Sequence, residues 1–269
     1  MTLIDTHTHL ESFARKGAGV LAEVLGRARA AGVEAMITIG TSPDDWELYR
    51  GMAGEHAKTG FVRYTAGLHP CSVDGEWENA LGQLEAFWAA DVRPVALGEI
   101  GLDRFHLPKE VAEAETIFAW QRAAFAEGLA MAKRLGCPVV VHSRGAFRES
   151  VEMIDASGVD WAKVVFHCFT EGAAEMTELT RRGGMGSFTG ILTYKSAEAV
   201  RAAAKAQGLA RFMTETDAPY LTPMPHRGKP NEPAFLRHTA EFAASEVFGV
   251  RYEELAATST ANARRFFGF

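Results

Sequence analysis

Six histidine and carboxylate side chains stand at intervals along the chain, each at or just after a short apolar run. They are His7, His9, Glu99, His142, His167 and Asp217. In an extended strand residues i and i+2 point to the same side, so His7 and His9 can present two imidazoles to one cation. Nitrogen and oxygen donors suit Zn²⁺ or Mn²⁺ best, with weaker binding of Mg²⁺ left open. The chemistry predicted for this set is metal binding.

The remaining four residues extend this prediction to two ions. The two oxygens of Glu99 can bridge a pair of cations, and His142 and His167 come from neighbouring runs and can share the second ion. Each residue taken singly also has a structural explanation, because a strand-end imidazole can be satisfied locally and a carboxylate can cap a helix. Six buried and unpaired polar groups would cost about 1–3 kcal/mol each, which favours the metal site.

Eight β-rich runs carry these residues, and most read as continuously apolar, as strands buried on both faces do. The runs are Leu3–His7, Glu34–Ile39, Phe61–Leu68, Pro94–Glu99, Pro138–His142, Lys163–Phe169, Gly184–Phe188 and Arg211–Thr216. Helical patterns are predicted between and after them, at Gly19–Ala31, Pro43–Lys58, Glu110–Leu135, Gly145–Ala156, Glu171–Arg182, Ser196–Gln207, Pro233–Phe248 and Tyr252–Phe266.

This alternation predicts an α/β protein with a single (β/α)8 TIM barrel over residues 1–269. An open, doubly wound sheet is the alternative, but no GxGxxG segment follows the first run. The active site of such a barrel lies at the carboxyl ends of its strands. Most of the candidate ligands are expected at those ends, and the last of them, Asp217, is expected beside the first strand.

Composition limits the function classes. The chain has 28 Lys and Arg against 34 Asp and Glu, a net charge of −6, and 47% hydrophobic residues. These values exclude a largely disordered chain and a protein that coats nucleic acid through a broad basic surface. Cys71, Cys137 and Cys168 are widely spaced, as free thiols in a reducing compartment would be. The expectation is a cytoplasmic monomer, with no signal peptide, no membrane association and no obligate protein partner.

The residues at the ends of the runs resemble a known family, the TatD family of metal-dependent deoxyribonucleases. The resemblance extends from the first run past residue 233. It is carried by the motifs Asp5-Thr6-His7-Thr8-His9-Leu10, Gly67-Leu68-His69-Pro70, Gly98-Glu99-Ile100-Gly101-Leu102-Asp103, His142-Ser143-Arg144, His167-Cys168-Phe169, Glu215-Thr216-Asp217-Ala218-Pro219-Tyr220-Leu221 and Arg227-Gly228-Lys229-Pro230-Asn231-Glu232-Pro233.

This resemblance implies an amidohydrolase-type TIM barrel with two divalent metal ions, Zn²⁺, Mn²⁺ or Mg²⁺. One ion would be bound by His7, His9, Glu99 and Asp217, and the other by Glu99, His142 and His167. The implied activity is hydrolysis of phosphodiester bonds by a metal-activated water, in a 3′→5′ exonuclease acting on single-stranded DNA. The chain departs from the family at Arg104, where an aromatic residue often follows the Gly-Leu-Asp motif.

Roles follow for individual residues if the substrate is the end of a DNA or RNA strand. Asp217 is predicted to be the general base, and Glu99 to hold the two ions in register. His69 is predicted to donate to a phosphate oxygen or to steady the leaving group. Arg144 is predicted to pair with phosphate through two hydrogen bonds. Phe105, Phe169 and Tyr220 could stack on bases, although packing in the core is the commoner fate of aromatic residues.

Two other functions compete with a nuclease. The first is hydrolysis of a small ester, lactone or amide, because amidohydrolase barrels share the His-x-His motif and the aspartate of the eighth strand. Many of these enzymes use a bridging lysine, whereas here the fourth run supplies Glu99 and no lysine ends a predicted strand. The second is a binding or scaffold protein with a vestigial site, which the complete ligand set argues against. Metal content would separate these possibilities.

Overall fold

Eight short parallel strands form the centre of the computed structural model, which describes residues 2–269; Met1 of the predicted domain lies outside the described residues. The strands are β1 (Leu3–Thr8), β2 (Val33–Thr38), β3 (Val62–Tyr64), β4 (Leu97–Asp103), β5 (Val139–Arg144), β6 (Val164–Phe166), β7 (Met185–Phe188) and β8 (Met213–Thr214). Each pairs with its neighbours in chain order, β1 to β3 and β4 to β8.

Backbone hydrogen bonds join these two runs of strands into a closed barrel. The N–H of Gly98 in β4 donates to the carbonyl of Ala66, just beyond β3, at 3.0 Å. On the other side the N–H of Asp217, which follows β8, donates to the carbonyl of His7 in β1 at 2.8 Å. The predicted TIM barrel is therefore confirmed, and its first and last strands meet where two of the predicted ligands lie.

Helices surround the barrel. They are α1 (Glu11–Ala14), α2 (Ala18–Ala30), α3 (Pro43–Glu55), α4 (Trp77–Ala89), α5 (Val111–Leu135), α6 (Phe147–Ser157), α7 (Ala173–Arg182), α8 (Glu198–Gln207), α9 (Leu236–Phe242), which continues as a π-helix over Ala243–Phe248, and α10 (Tyr252–Phe267). None of the helices within residues 2–269 is both long enough and apolar enough to cross a lipid bilayer.

The structure differs from the sequence prediction in two helices and in the bounds of some strands. Helices α1 and α4 were not predicted. Helix α4 begins without a capping side chain and contains Gly82, so the usual signal for a helix start is missing, although its Leu81, Leu84 and Phe87 form one buried face. Strand β8 has only two residues, and Asp217 beyond it adopts a left-handed backbone with φ of 54°.

Strand β4 begins and ends later than predicted, at Leu97–Asp103 rather than Pro94–Glu99. It continues past Glu99 because two glycines, Gly98 and Gly101, allow its backbone to lie close to that of β5. Gly98 and Gly101 have φ of 156° and 146°, backbone angles that residues other than glycine rarely adopt. A Cβ on Gly98 would lie 2.7 Å from that of Val140 in β5, and one on Gly101 would collide with the carbonyl of His142. The two glycines stand on either side of Glu99 and Ile100, and both of these residues are buried.

The hydrophobic core has two layers. The larger lies between the barrel and the helices, and the smaller fills the barrel from the inside with side chains such as Ile4, Val140 and Met213. Phe266 and Phe267, at the end of α10, belong to this inner layer. The amino-terminal end of the barrel is thereby packed with apolar side chains, so its polar residues gather at the opposite end.

Candidate metal centre

All six predicted ligands meet at the carboxyl end of the barrel. His7 lies in β1, Glu99 in β4 and His142 in β5, whereas His9, His167 and Asp217 stand one to three residues beyond β1, β6 and β8. Five of them line an open cavity of about 640 Å³, and the sixth, His7, is fully buried against the others.

His7, His9 and Asp217 form a nearly equilateral triangle of donor atoms. The Nε2 atoms of the two histidines lie 3.3 Å apart. Oδ1 of Asp217 lies 3.2 Å from Nε2 of His9 and 3.6 Å from Nε2 of His7. Ligands at the usual distance from a tetrahedral Zn²⁺ are about 3.3 Å from one another, so this triangle has the edge lengths of a divalent cation site.

Glu99 reaches both groups of histidines, as the sequence predicts for a bridging ligand. Its Oε2 lies 3.5 Å from Nε2 of His7. Its Oε1 lies 2.8 Å from Nδ1 of His142 and 2.7 Å from Nε2 of His167, which are hydrogen-bond distances. One carboxylate oxygen therefore faces each half of the cluster, and the donor types suit divalent cations.

The charges of the cluster also favour cations. Burial raises the pKa of Glu99, but the nearby His167, His69 and His7 hold it well below its ordinary value. Burial likewise raises the pKa of Asp217, and the hydrogen bond from His9 lowers it below its ordinary value. Two ionised carboxylates are thus buried where their nearest partners are imidazoles, a setting that divalent cations occupy in proteins.

Asp103 orients His142. Its Oδ2 accepts from Nε2 of His142 at 3.0 Å. This contact leaves Nδ1 as the ring nitrogen that faces Glu99 and that would bind an ion there. A carboxylate behind a metal-binding histidine fixes the ring in this way and raises its basicity. Asp103 was part of a predicted motif but had no predicted role.

Glu215 occupies the corresponding position behind His167. Its Oε1 lies 3.5 Å from Nδ1 of His167 and accepts from the backbone N–H of Cys168 at 2.6 Å. Its Oε2 accepts from the hydroxyl of Ser187 at 2.5 Å. Glu215 is fully buried, so these contacts fix both the carboxylate and the turn that carries His167.

His69 joins the cluster in a different role from the six predicted ligands. Its Nε2 lies 3.2 Å from Nδ1 of His142 and 3.5 Å from Oε1 of Glu99. Its Nδ1 accepts from the backbone N–H of Cys71 at 3.0 Å, so the proton of the neutral ring is on Nε2. Burial lowers the pKa of His69 to about 3, which keeps the ring neutral. Its Nε2 is therefore a hydrogen-bond donor that faces the cavity.

Arg144 lines the cavity, and its guanidinium lies 3.9 Å from the ring centroid of Phe105. Phe105 is 67% exposed, and Tyr220, which also lines the cavity, is 59% exposed. Arg104, in contrast, forms an ion pair with Glu149 at 2.7 Å, so its charge is balanced by a neighbouring helix. Arg144 thus presents a cation to the solvent, and Phe105 and Tyr220 present aromatic faces, whereas Phe169, the third predicted stacking residue, is buried in the core.

The carboxylates behind the ligands could be found in the sequence only in part. Asp103 and Glu215 stand in the same motifs as Glu99 and Asp217, but the sequence does not tell a ligand from the residue that orients it. Asp5, which bonds to Thr216, stands two residues before His7. The sequence indicated a special role for Asp5 only by placing a carboxylate inside a predicted buried strand.

Comparisons with known proteins identify the family to which the chain belongs. The sequence profile of the family described as TatD related DNase matches residues 4–268. The chain is 35% identical over 266 residues to an "uncharacterized metal-dependent hydrolase TatD" of Mycobacterium tuberculosis, covering 99% of this chain and 98% of the relative. It is 34% identical over 258 residues to a "3′-5′ ssDNA/RNA exonuclease TatD" of Klebsiella pneumoniae, covering 91% of each chain.

Among solved structures, the TatD homologue YjjV of Escherichia coli superposes with a TM-score of 0.87 at 26% identity, covering 99% of this chain and 98% of that one. Sequence profile, full-length relatives and fold agree with one another, and the cluster at the barrel mouth has the donor set of a metal-dependent enzyme. The chain belongs to the TatD family of metal-dependent hydrolases.

Proposed function

We propose that the protein is a divalent-metal-dependent phosphodiesterase that releases nucleotides from the 3′ end of single-stranded DNA. The observation that carries this proposal is the way Glu99 turns one oxygen to the His7 side and the other to His142 and His167. Such a carboxylate, at the base of an open cavity, suits a reaction that needs two cations side by side. The Klebsiella pneumoniae relative, named an exonuclease, supports the choice of substrate.

His7, His9, Glu99 and Asp217 would hold one ion, and Glu99, His142 and His167 would hold the other. Bound divalent ions supply a water of lowered pKa and neutralise charge on the phosphate. Asp217 lines the cavity and turns Oδ1 to His9, so its second oxygen, Oδ2, accepts the proton of the attacking water. His69 donates its Nε2 proton to a phosphate oxygen.

The rim of the cavity binds the strand. Arg144 pairs with a backbone phosphate, and its stacking on Phe105 holds the guanidinium in place. Phe105 and Tyr220 stack on bases, because large exposed aromatic rings beside a polar cavity offer faces that any base can use. Recognition of this kind tolerates different sequences, as an exonuclease requires.

Metal-stripped protein incubated with 3′-labelled and 5′-labelled single-stranded DNA tests the proposal, with Mg²⁺, Mn²⁺ or Zn²⁺ added back. Glu99→Ala removes the central carboxylate, and Glu198→Ala, on the exposed surface of α8, is the matched control. We expect metal-dependent release of mononucleotides from the 3′ label first, lost in Glu99→Ala and kept in Glu198→Ala. Cleavage of small esters or lactones without cleavage of DNA would overturn the proposal in favour of a small-molecule hydrolase.

A further inference from the structure

A second group of metal-binding atom types lies beside the centre and shares no residue with the six ligands. Sγ of Cys71 lies 3.6 Å from Oδ2 of Asp103 and 3.7 Å from Nδ1 of His106. Nδ1 of His106 lies 2.7 Å from the same Oδ2. A thiol, an imidazole and a carboxylate thus converge on one point, a combination that the activity proposed above does not use.

The surrounding structure holds this group in place. Oδ1 of Asp103 accepts from the backbone N–H groups of Phe105 and His106 at 2.7 and 2.8 Å, which directs Oδ2 toward Cys71. The buried side chain of Gln121 accepts from the N–H of Asp103 at 3.0 Å and donates to the carbonyl of Pro70 at 3.2 Å. Gln121 therefore fixes the loop of Cys71 relative to the end of β4.

The distances suit a cation that accepts sulfur. Thiolate sulfur and a nitrogen or oxygen ligand lie about 3.5 Å apart on a tetrahedral Zn²⁺, close to both distances measured from Sγ. The shorter Nδ1 to Oδ2 distance is a hydrogen bond that a cation would replace. Cys71 and His106 are both exposed, so an ion can enter and keep solvent in its fourth position.

We propose that Cys71, Asp103 and His106 form a third metal site, selective for divalent cations that favour thiolate, such as Zn²⁺ or Co²⁺, over Mg²⁺. Binding releases the thiol proton to solvent and forms the metal–sulfur bond. The site is coupled to the metal centre, because Oδ2 of Asp103 is also the acceptor for Nε2 of His142. An ion on Oδ2 competes for the carboxylate that orients His142, so excess Zn²⁺ or Co²⁺ lowers activity.

Titration of the full-length, reduced protein with Co²⁺ tests this site without an activity assay. Thiolate bound to Co²⁺ gives a near-ultraviolet charge-transfer absorption, which histidine and carboxylate ligands do not give. We expect this absorption in the wild-type protein, its loss in Cys71→Ser, and at least a tenfold higher Co²⁺ concentration for half-saturation in His106→Ala. Cys137→Ser and Cys168→Ser, matched controls at the other two thiols, should retain it.

Circular dichroism checks that each variant is folded. No charge-transfer absorption in folded wild-type protein under excess Co²⁺ would overturn the proposal, and so would its persistence in folded Cys71→Ser. Loss of the absorption only in Cys168→Ser would assign the thiolate to the turn after His167 and overturn it as well. The proposal does not depend on the nuclease activity, because the absorption reports binding alone.

Discussion

The carboxylate of Asp5 accepts both the backbone N–H and the hydroxyl of Thr216, at 2.9 and 2.6 Å. Asp5 lies in β1 two residues before His7, and Thr216 directly precedes Asp217, so this pair joins the two segments that carry the His7, His9 and Asp217 triangle. Both residues are buried.

Asp5→Ala should destabilise the protein even without metal. It leaves two buried donors of Thr216 unpaired, at a cost of about 1–3 kcal/mol each. Urea denaturation of the metal-stripped protein measures the free energy of unfolding. Asp91→Ala, on the exposed surface, is the control and should stay within about 0.5 kcal/mol of wild type. An equal stability of Asp5→Ala and Asp91→Ala would contradict the structural role of this pair.

Asp103→Asn should weaken metal binding more than folding. The amide cannot accept from Nε2 of His142 as strongly as the carboxylate, and loss of such a partner costs about 10–100-fold in metal affinity. Equilibrium dialysis against Mn²⁺ measures the affinity. Mn²⁺ is used because it binds thiolate weakly, so the site proposed at Cys71 contributes little to the measured binding. Asp74→Asn, at an exposed loop position, is the control. Unchanged Mn²⁺ affinity in Asp103→Asn would show that Asp103 does not orient His142.

His69→Ala should lower kcat by about 10²–10³-fold while the bound metal stays constant, as expected for loss of a hydrogen-bond donor to the transition state. Metal content by atomic emission and kcat on single-stranded DNA are measured on the same sample. If metal content falls along with kcat, His69 is a ligand, and the assignment of its proton to Nε2 is wrong.

Asp217→Asn should also lower kcat, by about 10²–10⁴-fold, because the amide cannot accept the proton of the attacking water. Much of the metal should be retained, since His7, His9 and Glu99 remain. The pH profile of kcat separates this role from a structural one. In the wild type, kcat should fall at low pH as Asp217 becomes protonated, and Asp217→Asn should lack this fall. Intact turnover in Asp217→Asn would exclude the role of general base.

Tyr220→Ala should raise KM for single-stranded DNA and leave hydrolysis of a small phosphodiester, which has no base to stack, unchanged. Phe105→Ala should also raise KM for DNA, and by more, because Arg144 loses the ring on which its guanidinium stacks. Stacking of a base on an aromatic side chain contributes about 1–3 kcal/mol, or about 5- to 150-fold in binding. Leu48→Ala, at an exposed position on α3, is the control. Equal losses on both substrates would point to a damaged metal centre instead.

The sequence predicted that these six side chains would meet, because β-strand geometry leaves little choice. His7 and His9 had to share a side of the chain, and residues that end parallel strands had to meet. The sequence could not show that Glu215 and Asp217 have different roles. Residues i and i+2 of a strand point to the same side, and these two carboxylates point in different directions only because the backbone turns at Asp217, which is left-handed. The positions of Asp103 and Cys71 likewise depend on Gln121, a residue from the middle of α5 with no local signal.

Phe266 and Phe267 pack into the inner apolar layer at the end of the barrel opposite the metal centre, whereas the cavity opens at the carboxyl end. If the substrate is a nucleic-acid strand, as proposed above, the strand and the released nucleotide would use the same opening. Each nucleotide would then leave past the remaining strand before the next phosphate binds. Release of the product would compete with movement of the strand, and free mononucleotide is expected to act as a competitive inhibitor.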